Sequence, residues 1–208
     1  MNNDLKDILE VIHLSENLKK EIRHSYLSDG RKESVAEHTF RVALMVLLIK
    51  DKLSLKVDSE KILKMSIIHD LAEAKAHDVW AFDSMNSEEV KRNKERLERE
   101  AMEDIKNILG TPLGDEVYSL WEEYERKESY EAKVVNAMDK LEAQLQHNEA
   151  DFSTWIDIEK DMCYMLDRHV EFEPILKEFK DIILDESENK MKENNVDIES
   201  IKNRVLKK

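Results

Sequence analysis

The residues most suggestive of chemistry are His69 and Asp70, which stand side by side in the apolar segment 62–73. An imidazole and a carboxylate on the buried part of a helix are costly unless another group pairs with them. A metal ion is an effective partner for both, because imidazole nitrogen and carboxylate oxygen are good ligands for divalent ions. His38 upstream and Asp139 downstream also lie in segments with helical patterns. The four residues form a candidate metal-binding set.

Glu73 adds a candidate acid/base group to this set. It follows His69 by four residues, so on a helix the two side chains share a face. Two histidines and two aspartates suit one divalent ion such as Mn, Co, Fe, Ni or Zn, and leave positions for water and a substrate oxygen. A bound metal lowers the pKa of water and polarises a phosphoryl group, while a nearby carboxylate moves the proton. The pattern therefore favours hydrolysis.

The helices that position these residues are visible in the apolar periodicity. The spacing predicts a first helix from Leu5 to Ile22 that closes at the turn 28–30, and no strand. A capping box at Ser34 and Glu37 opens a second helix, apolar nearly all round and expected in the centre of the fold. Asp58 or Ser59 opens a third helix, which holds residues 69–73 and gives way to a loop at 76–78.

The apolar pattern in the second half of the chain predicts four more helical regions. Residues 87–109 form a highly charged helix, interpreted as solvated and amphipathic, and residues 117–124 a short one. Residues 130–149 form a helix with Asp139 on the edge of its core stripe. Residues 150–170 are aromatic-rich and irregular, and Pro174 precedes a last helix.

Composition places the chain in the all-α class, as a single-domain helical bundle. Its 208 residues include only 3 Gly and 2 Pro, so tight turns are scarce. We expect one helical domain over residues 1–185, with its core at about 20–150, and a polar C-terminal tail over 186–208. A net charge of −14 argues against a nucleic acid polymer as partner. The single cysteine, the short apolar runs and the acidic N-terminus predict a cytoplasmic protein without membrane contact.

The order His38, His69-Asp70, Asp139 resembles the H…HD…D signature of the HD-domain superfamily of metal-dependent phosphohydrolases. Longer stretches of the chain resemble the 5'-deoxynucleotidase-like branch of this superfamily. They are residues 31–38, 69–73 with Asp78, 121–126 and 131–139. The resemblance covers about residues 20–150. It implies an all-helical fold, one metal ion held by those four side chains, and hydrolysis of a nucleoside monophosphate to nucleoside and phosphate.

The same resemblance assigns roles to further residues. Glu73 becomes the acid/base residue, Asp78 helps to position the phosphate or water, and Arg23 binds the substrate. The deoxynucleotidase pattern has a Trp directly after this Arg, whereas this chain has His24, a second substrate-binding candidate. The choice between ribose and deoxyribose is therefore left open. Ala74 after Glu73 argues against a guanosine-tetraphosphate hydrolase, which usually has Glu-Asp there.

Two functions from different classes remain. The first is an enzyme acting on a small nucleotide, and the second is a regulatory module that binds metal and nucleotide without turnover. Glu73 favours the enzyme, because a binding site has little need of an extra carboxylate. The resemblance also implies a homodimer. The aromatic-rich stretch, which contains Phe152, Trp155, Met162, Tyr164 and Met165, can supply a partner surface or cap the core, and His13, His147 and His169 are interpreted as structural or exposed.

Overall fold

The computed structural model describes residues 3–78 and 87–206, and most of these residues lie in helices. The helices are α1 (Asn3–Ser15), α2 (Val35–Ile49), α3 (Ser59–Ile68), α4 (Glu73–Ala76), α5 (Glu88–Leu109), α6 (Leu113–Arg126), α7 (Tyr130–Glu149), α8 (Asp157–Met162), α9 (Asp167–Val170), α10 (Pro174–Glu193) and α11 (Ile198–Val205). Single 3-10 turns lie at Glu16–Lys19, Lys50–Lys52, Phe152–Thr154 and Cys163–Met165. The predicted all-α class is confirmed.

A short hairpin replaces the end of the predicted first helix. Strands β1 (Ile22–Tyr26) and β2 (Lys32–Ser34) pair antiparallel, with an irregularity in the register between Ile22 and Tyr26. The Leu27 N–H donates to the Arg31 carbonyl at 2.7 Å across the turn. Gly30 has φ +88°, a left-handed backbone conformation that glycine adopts readily.

The predictions of a helix through Ile22 and of no strand were therefore wrong. α1 ends at Ser15, and the residues after it turn away into the hairpin. The helical spacing of Leu18 and Ile22 gave no sign of this, because a backbone pairing between distant residues leaves no local period in the sequence.

The main core packs α2, α3 and α10 around α7. Its buried side chains include Val42, Val46, Ile62, Met65, Val134, Val135, Met138, Leu141, Leu176 and Ile183. One face of α2 faces outward, however, where Phe40 is 70% and Leu48 is 67% exposed. The prediction that α2 is central thus holds for one side of the helix. Among the helices of the described residues, none combines the length and apolarity needed to cross a membrane.

The C-terminal segment packs onto a second apolar cluster. α10 passes residue 185 without a break, and the cluster consists of Trp155, Cys163, Tyr164, Met191, Ile198 and Ile201. Trp155 and Tyr164 are buried here, so the aromatic-rich stretch caps the core at these positions. The proposed limits 1–185 and 186–208 remain a prediction, while residues 186–206 include buried side chains.

Candidate metal centre and its cavity

His38 is positioned by the start of α2. The capping box is present: the Ser34 N–H donates to Glu37 Oε2 at 2.9 Å, and the Glu37 N–H donates to Ser34 Oγ. His38 follows Glu37 and is fully buried. Its Nδ1 is paired with Glu142 of α7, whose carboxylate also accepts from Arg41 Nε at 2.6 Å. Because a carboxylate accepts, Nδ1 carries a hydrogen, and Nε2 is the ring nitrogen that faces the cluster.

His69 and Asp70 lie just beyond the end of α3. The Leu71 N–H donates to the Ile68 carbonyl and the Glu73 N–H to the Asp70 carbonyl, both at 3.0 Å, so the chain continues in tight i→i+3 turns. The prediction of one helix through Glu73 was wrong in this respect. His69 Nδ1 lies 2.9 Å from the Ser66 carbonyl, which can only accept. Nδ1 therefore carries a hydrogen, and His69 Nε2 faces Asp70.

The four predicted ligands meet at one point. Asp139 Oδ1 of α7 lies 3.2 Å from His38 Nε2, and Asp70 Oδ2 lies 3.6 Å from His38 Nε2 and 3.3 Å from His69 Nε2. One ligand atom from each of His38, His69 and Asp139 lies within 4.8 Å of the others. Within the described part of the chain, His38 Nε2, His69 Nε2 and Asp70 Oδ2 are buried without a hydrogen-bond partner. Buried orphan atoms of these types fit a divalent cation.

The electrostatics of the cluster also favour a cation. Burial by itself lowers the pKa of His38, but Glu142 and Asp139 together raise it to about 10. Burial raises the pKa of Asp70 and Asp139, yet neighbouring cationic groups, with His38 among them, hold both values below the usual range. Ionised carboxylates around the His38 imidazole, whose pKa is raised, make an environment that favours a cation.

Asp139 has support that the sequence reasoning missed. The Tyr124 hydroxyl of α6 donates to Asp139 Oδ2 at 3.1 Å, and Lys140 Nζ lies 2.9 Å from the same oxygen. The Tyr124 ring also packs edge-on against His69, with the ring centroids 5.4 Å apart. Tyr124 lies in the segment 121–126 that carries the family resemblance, which was the available signal.

Glu73 lies beside the cluster at the start of α4. Its side chain is buried, and burial together with Asp70 and Asp78 raises its pKa. Lys94 of α5 places Nζ 3.8 Å from Glu73 Oε1 and 3.4 Å from Glu98 Oε1. Helix α5 was interpreted as a solvated helix, so the sequence reasoning missed that Lys94 and Glu98 reach the site.

Arg23 lies on strand β1 and not on a helix as expected. Its Nε lies 3.3 Å from Glu33 Oε2, and its Nη1 lies 3.8 Å from Asp70 Oδ2. Asp78 is positioned by its own N–H, which donates to Glu21 Oε1 at 2.9 Å. The preceding residue, His77, has φ 65° and turns its side chain to Glu21 at the surface. Arg23 and Asp78 both line the cavity described next.

A cavity of about 380 Å³ opens onto the cluster. Its lining includes His69, Asp70, Glu73 and Asp139, and also a second polar group, made by His24, His147 and Glu159. His147 and His169 were interpreted as structural or exposed, but both line this cavity. The signal for His147 was its position on α7, two helical turns after Asp139. The volume is in the range of small-molecule binding sites.

Known proteins are similar to this chain in sequence and in fold. Residues 15–180 match a family model described as HD domain. The 5'-deoxynucleotidase HDDC2 of Homo sapiens is 36% identical over 146 residues, which are 69% of this chain and 68% of that protein. The protein of the same name from Dictyostelium discoideum is 33% identical over 149 residues, 68% of this chain and 76% of that protein.

A solved structure supports the same assignment. The crystal structure described as a predicted metal-dependent phosphohydrolase from Magnetospirillum magnetotacticum has a TM-score of 0.78 and 25% sequence identity to this chain, covering 91% of this chain and 97% of that one. The similarity in fold and the similarity in sequence agree. The chain is a member of the HD-domain family, whose metal-dependent phosphohydrolases use a divalent ion.

Proposed function

We propose that this protein is a metal-dependent phosphomonoesterase that removes phosphate from nucleoside 5'-monophosphates. The observation that carries the proposal is the convergence of His38, His69, Asp70 and Asp139 at one end of a cavity large enough for a small ligand. The names of the relatives, 5'-deoxynucleotidase, support the same activity. The choice of ribose or deoxyribose is part of what the experiment below measures.

We infer that these four side chains hold one divalent cation, with Mn, Co, Fe, Ni and Zn all compatible with the ligand types. When bound, such an ion lowers the pKa of a water molecule and offsets the negative charge of a phosphate group. Glu142 and the Ser66 carbonyl fix the two imidazoles by their Nδ1 atoms, so that both Nε2 atoms face the same point. Asp139 keeps Oδ1 for the ion, because Tyr124 and Lys140 occupy Oδ2.

Arg23, Glu73 and Asp78 act on the substrate in different ways. Arg23 presents a guanidinium to the cavity beside Asp70, where it attracts the phosphate oxygens. Glu73, with its raised pKa, is the proton carrier: as water forms a bond to phosphorus and the bond from phosphorus to the 5' oxygen breaks, a proton passes to that oxygen. Asp78, at the rim, orients the phosphate or the attacking water.

The test is phosphate release from ribo- and deoxyribonucleoside monophosphates with manganese, cobalt or zinc. Glu73→Gln is expected to keep its metal content and lose about 10²- to 10⁴-fold in kcat, because a positioned acid/base contributes that much. Glu103→Gln, an exposed carboxylate of α5, is the matched control and should keep the wild-type rate.

Two results would contradict the proposal. If the metal-loaded wild type binds nucleotides but releases no phosphate from any of them, the protein is a binding or regulatory module. If Glu73→Gln and the wild type have equal rates, Glu73 has no part in the proton transfer.

We also propose that the protein forms a homodimer through the outer face of α2. Phe40, Leu44, Leu47 and Leu48 form a continuous exposed apolar stripe there, and isolated soluble monomers rarely expose such a surface. Light scattering should give the mass of a dimer for the wild type and of a monomer for the double variant Phe40→Glu with Leu48→Glu. A monomeric wild type would contradict the proposal.

A further inference from the structure

Glu33 is a buried carboxylate on the hairpin, directly across from Arg23. It lies on β2, and its side chain is only 2% exposed. The two strands pair so that Ile22 of β1 is opposite Ser34 of β2. Arg23 and Glu33 are the next residues along the two strands, and side chains at such cross-strand positions contact each other. The hairpin therefore brings a carboxylate to the arginine that the proposed function uses.

The contact between these two side chains is an ion pair at the Nε edge of the guanidinium. Arg23 Nε lies 3.3 Å from Glu33 Oε2. Both atoms are buried, and in the part of the chain that the structure describes neither forms a well-aligned hydrogen bond with another group. A buried charge is costly unless a group of opposite sign lies beside it. Glu33 is thus the counter-charge for this edge of Arg23.

The other edge of the guanidinium is turned to the cavity. Arg23 lines the cavity and places Nη1 3.8 Å from Asp70 Oδ2, whereas Glu33 is not among the described residues of the lining. A guanidinium carries donors at Nε and at both terminal nitrogens, all in one rigid plane. With Nε beside Glu33, the donors left for a ligand are those of Nη1 and Nη2. Two such parallel donors match two oxygens of a phosphate group.

Glu142, a second buried carboxylate, lies close to Glu33 but has different partners. One ligand atom from each of Glu33, His38 and Glu142 lies within 4.8 Å of the others. Glu142 is paired with His38 Nδ1 and accepts from Arg41 Nε at 2.6 Å. Burial and the charge of Glu142 raise the pKa of Glu33 to about 7, and Arg23 contributes most to opposing this rise. Glu142 therefore supports the imidazole, while Glu33 is left to Arg23.

We propose that Glu33 is a positioning residue, which holds the Arg23 guanidinium by its Nε edge and so presents the two terminal nitrogens to the phosphate group of the substrate. The inference rests on the proposed phosphomonoesterase function and adds a residue to it. Glu33 acts on the substrate through Arg23 and not through the metal ion.

The test is a double-mutant cycle on kcat/KM for phosphate release, with the nucleoside monophosphate that the wild type hydrolyses fastest and saturating manganese. Glu33→Gln keeps the shape of the side chain and removes its charge. It should lose about tenfold or more in kcat/KM, mainly through a higher KM, because phosphate binding is weakened and proton transfer is not. Arg23→Met should lose at least as much. In the Arg23→Met background, Glu33→Gln should change kcat/KM by less than about twofold.

Asp29→Asn is the matched control, because it removes the same charge from the same hairpin. Asp29 is exposed and pairs with Arg31 at 3.8 Å, so this variant should keep the wild-type kcat/KM. The proposal is overturned if Glu33→Gln loses nothing, if Arg23→Met loses nothing, or if Glu33→Gln loses equally with and without Arg23. In each of these cases Glu33 does not act through the guanidinium.

Metal titration tests the competing role of Glu33 beside His38. Competition with a chelator should give Glu33→Gln the same manganese affinity as the wild type. A loss of metal affinity as large as the loss in kcat/KM overturns the proposal, because Glu33 would then act through the metal centre. If Glu33→Gln does not fold, Glu33→Asp, which keeps the charge but shortens its reach, replaces it under the same criteria.

Binding of inorganic phosphate separates this inference from the proposed function. If no nucleotide is hydrolysed, the function fails, and calorimetric titration of phosphate into the manganese-loaded protein then decides the role of Glu33. Phosphate binding that is weaker by about tenfold in Glu33→Gln than in the wild type supports the positioning role, and equal affinities overturn it.

Discussion

Glu142 offers the most direct test of how the metal centre is held together. Its side chain is fully buried and joins two groups, His38 Nδ1 and Arg41 Nε. Glu142→Gln keeps the shape but removes the negative charge that orients the imidazole. Loss of such a support weakens metal binding by about 10- to 100-fold. This corresponds to roughly 1.4 to 2.8 kcal/mol of binding free energy.

The assay is a competition titration of the protein with cobalt or manganese against a chelator of known affinity. Glu142 does not line the cavity, so the variant should recover most of its phosphatase activity at saturating metal. Glu149→Gln is the control: Glu149 also pairs with Arg41 but is 53% exposed, and no contact joins it to His38 in the described structure. This role of Glu142 is refuted if Glu142→Gln binds metal as tightly as the wild type, or if Glu149→Gln loses as much affinity.

Three further predictions concern the fold around the site. In Gly114→Ala the new Cβ would lie 2.2 Å from the Lys106 carbonyl oxygen, so urea denaturation should show a loss of about 1 to 3 kcal/mol or more in unfolding free energy; an unchanged value contradicts the tight helix contact. Ser34→Ala removes the cap of the helix that carries His38 and should cost about 0.5 to 2 kcal/mol in the same assay, whereas no loss means that the cap is dispensable. Burial lowers the pKa of His147 from 6.5 to about 4, so its contribution to stability is complete above pH 6.5 and is lost as the pH falls toward 4. His147→Phe should therefore lose on the order of 3 kcal/mol less unfolding free energy than the wild type over this pH range. Parallel pH profiles of stability in the wild type and the variant would contradict this.

The helical elements of this chain were largely predictable, because their signals are local. The capping box at Ser34, the start at Asp58 and the helix over 130–149 all depend on side chains within four residues of each other. The hairpin at 22–34 depends on pairing between two segments, and the break after Ile68 on tight turns around His69 and Asp70. Neither changes the apolar periodicity, so neither could be predicted from it.

The site was predictable only where residue type and order carry the chemistry. His38, His69, Asp70 and Asp139 form a recognisable order, and the structure brings them together. Lys94, Glu98 and Glu159 are ordinary charged residues on charged helices, and solvated charges are the commoner case. Their participation depends on which helix face the tertiary packing turns inward, which one sequence does not reveal.

Asp139 and His147 both line the cavity and both lie on helix α7. The spacing of these two cavity-lining residues is consequently set by the rise of a regular helix, about 12 Å over eight residues. Inserting one residue between Asp139 and His147 would rotate His147 by about 100° around the helix axis and turn it out of the cavity, while Asp139 would stay in place.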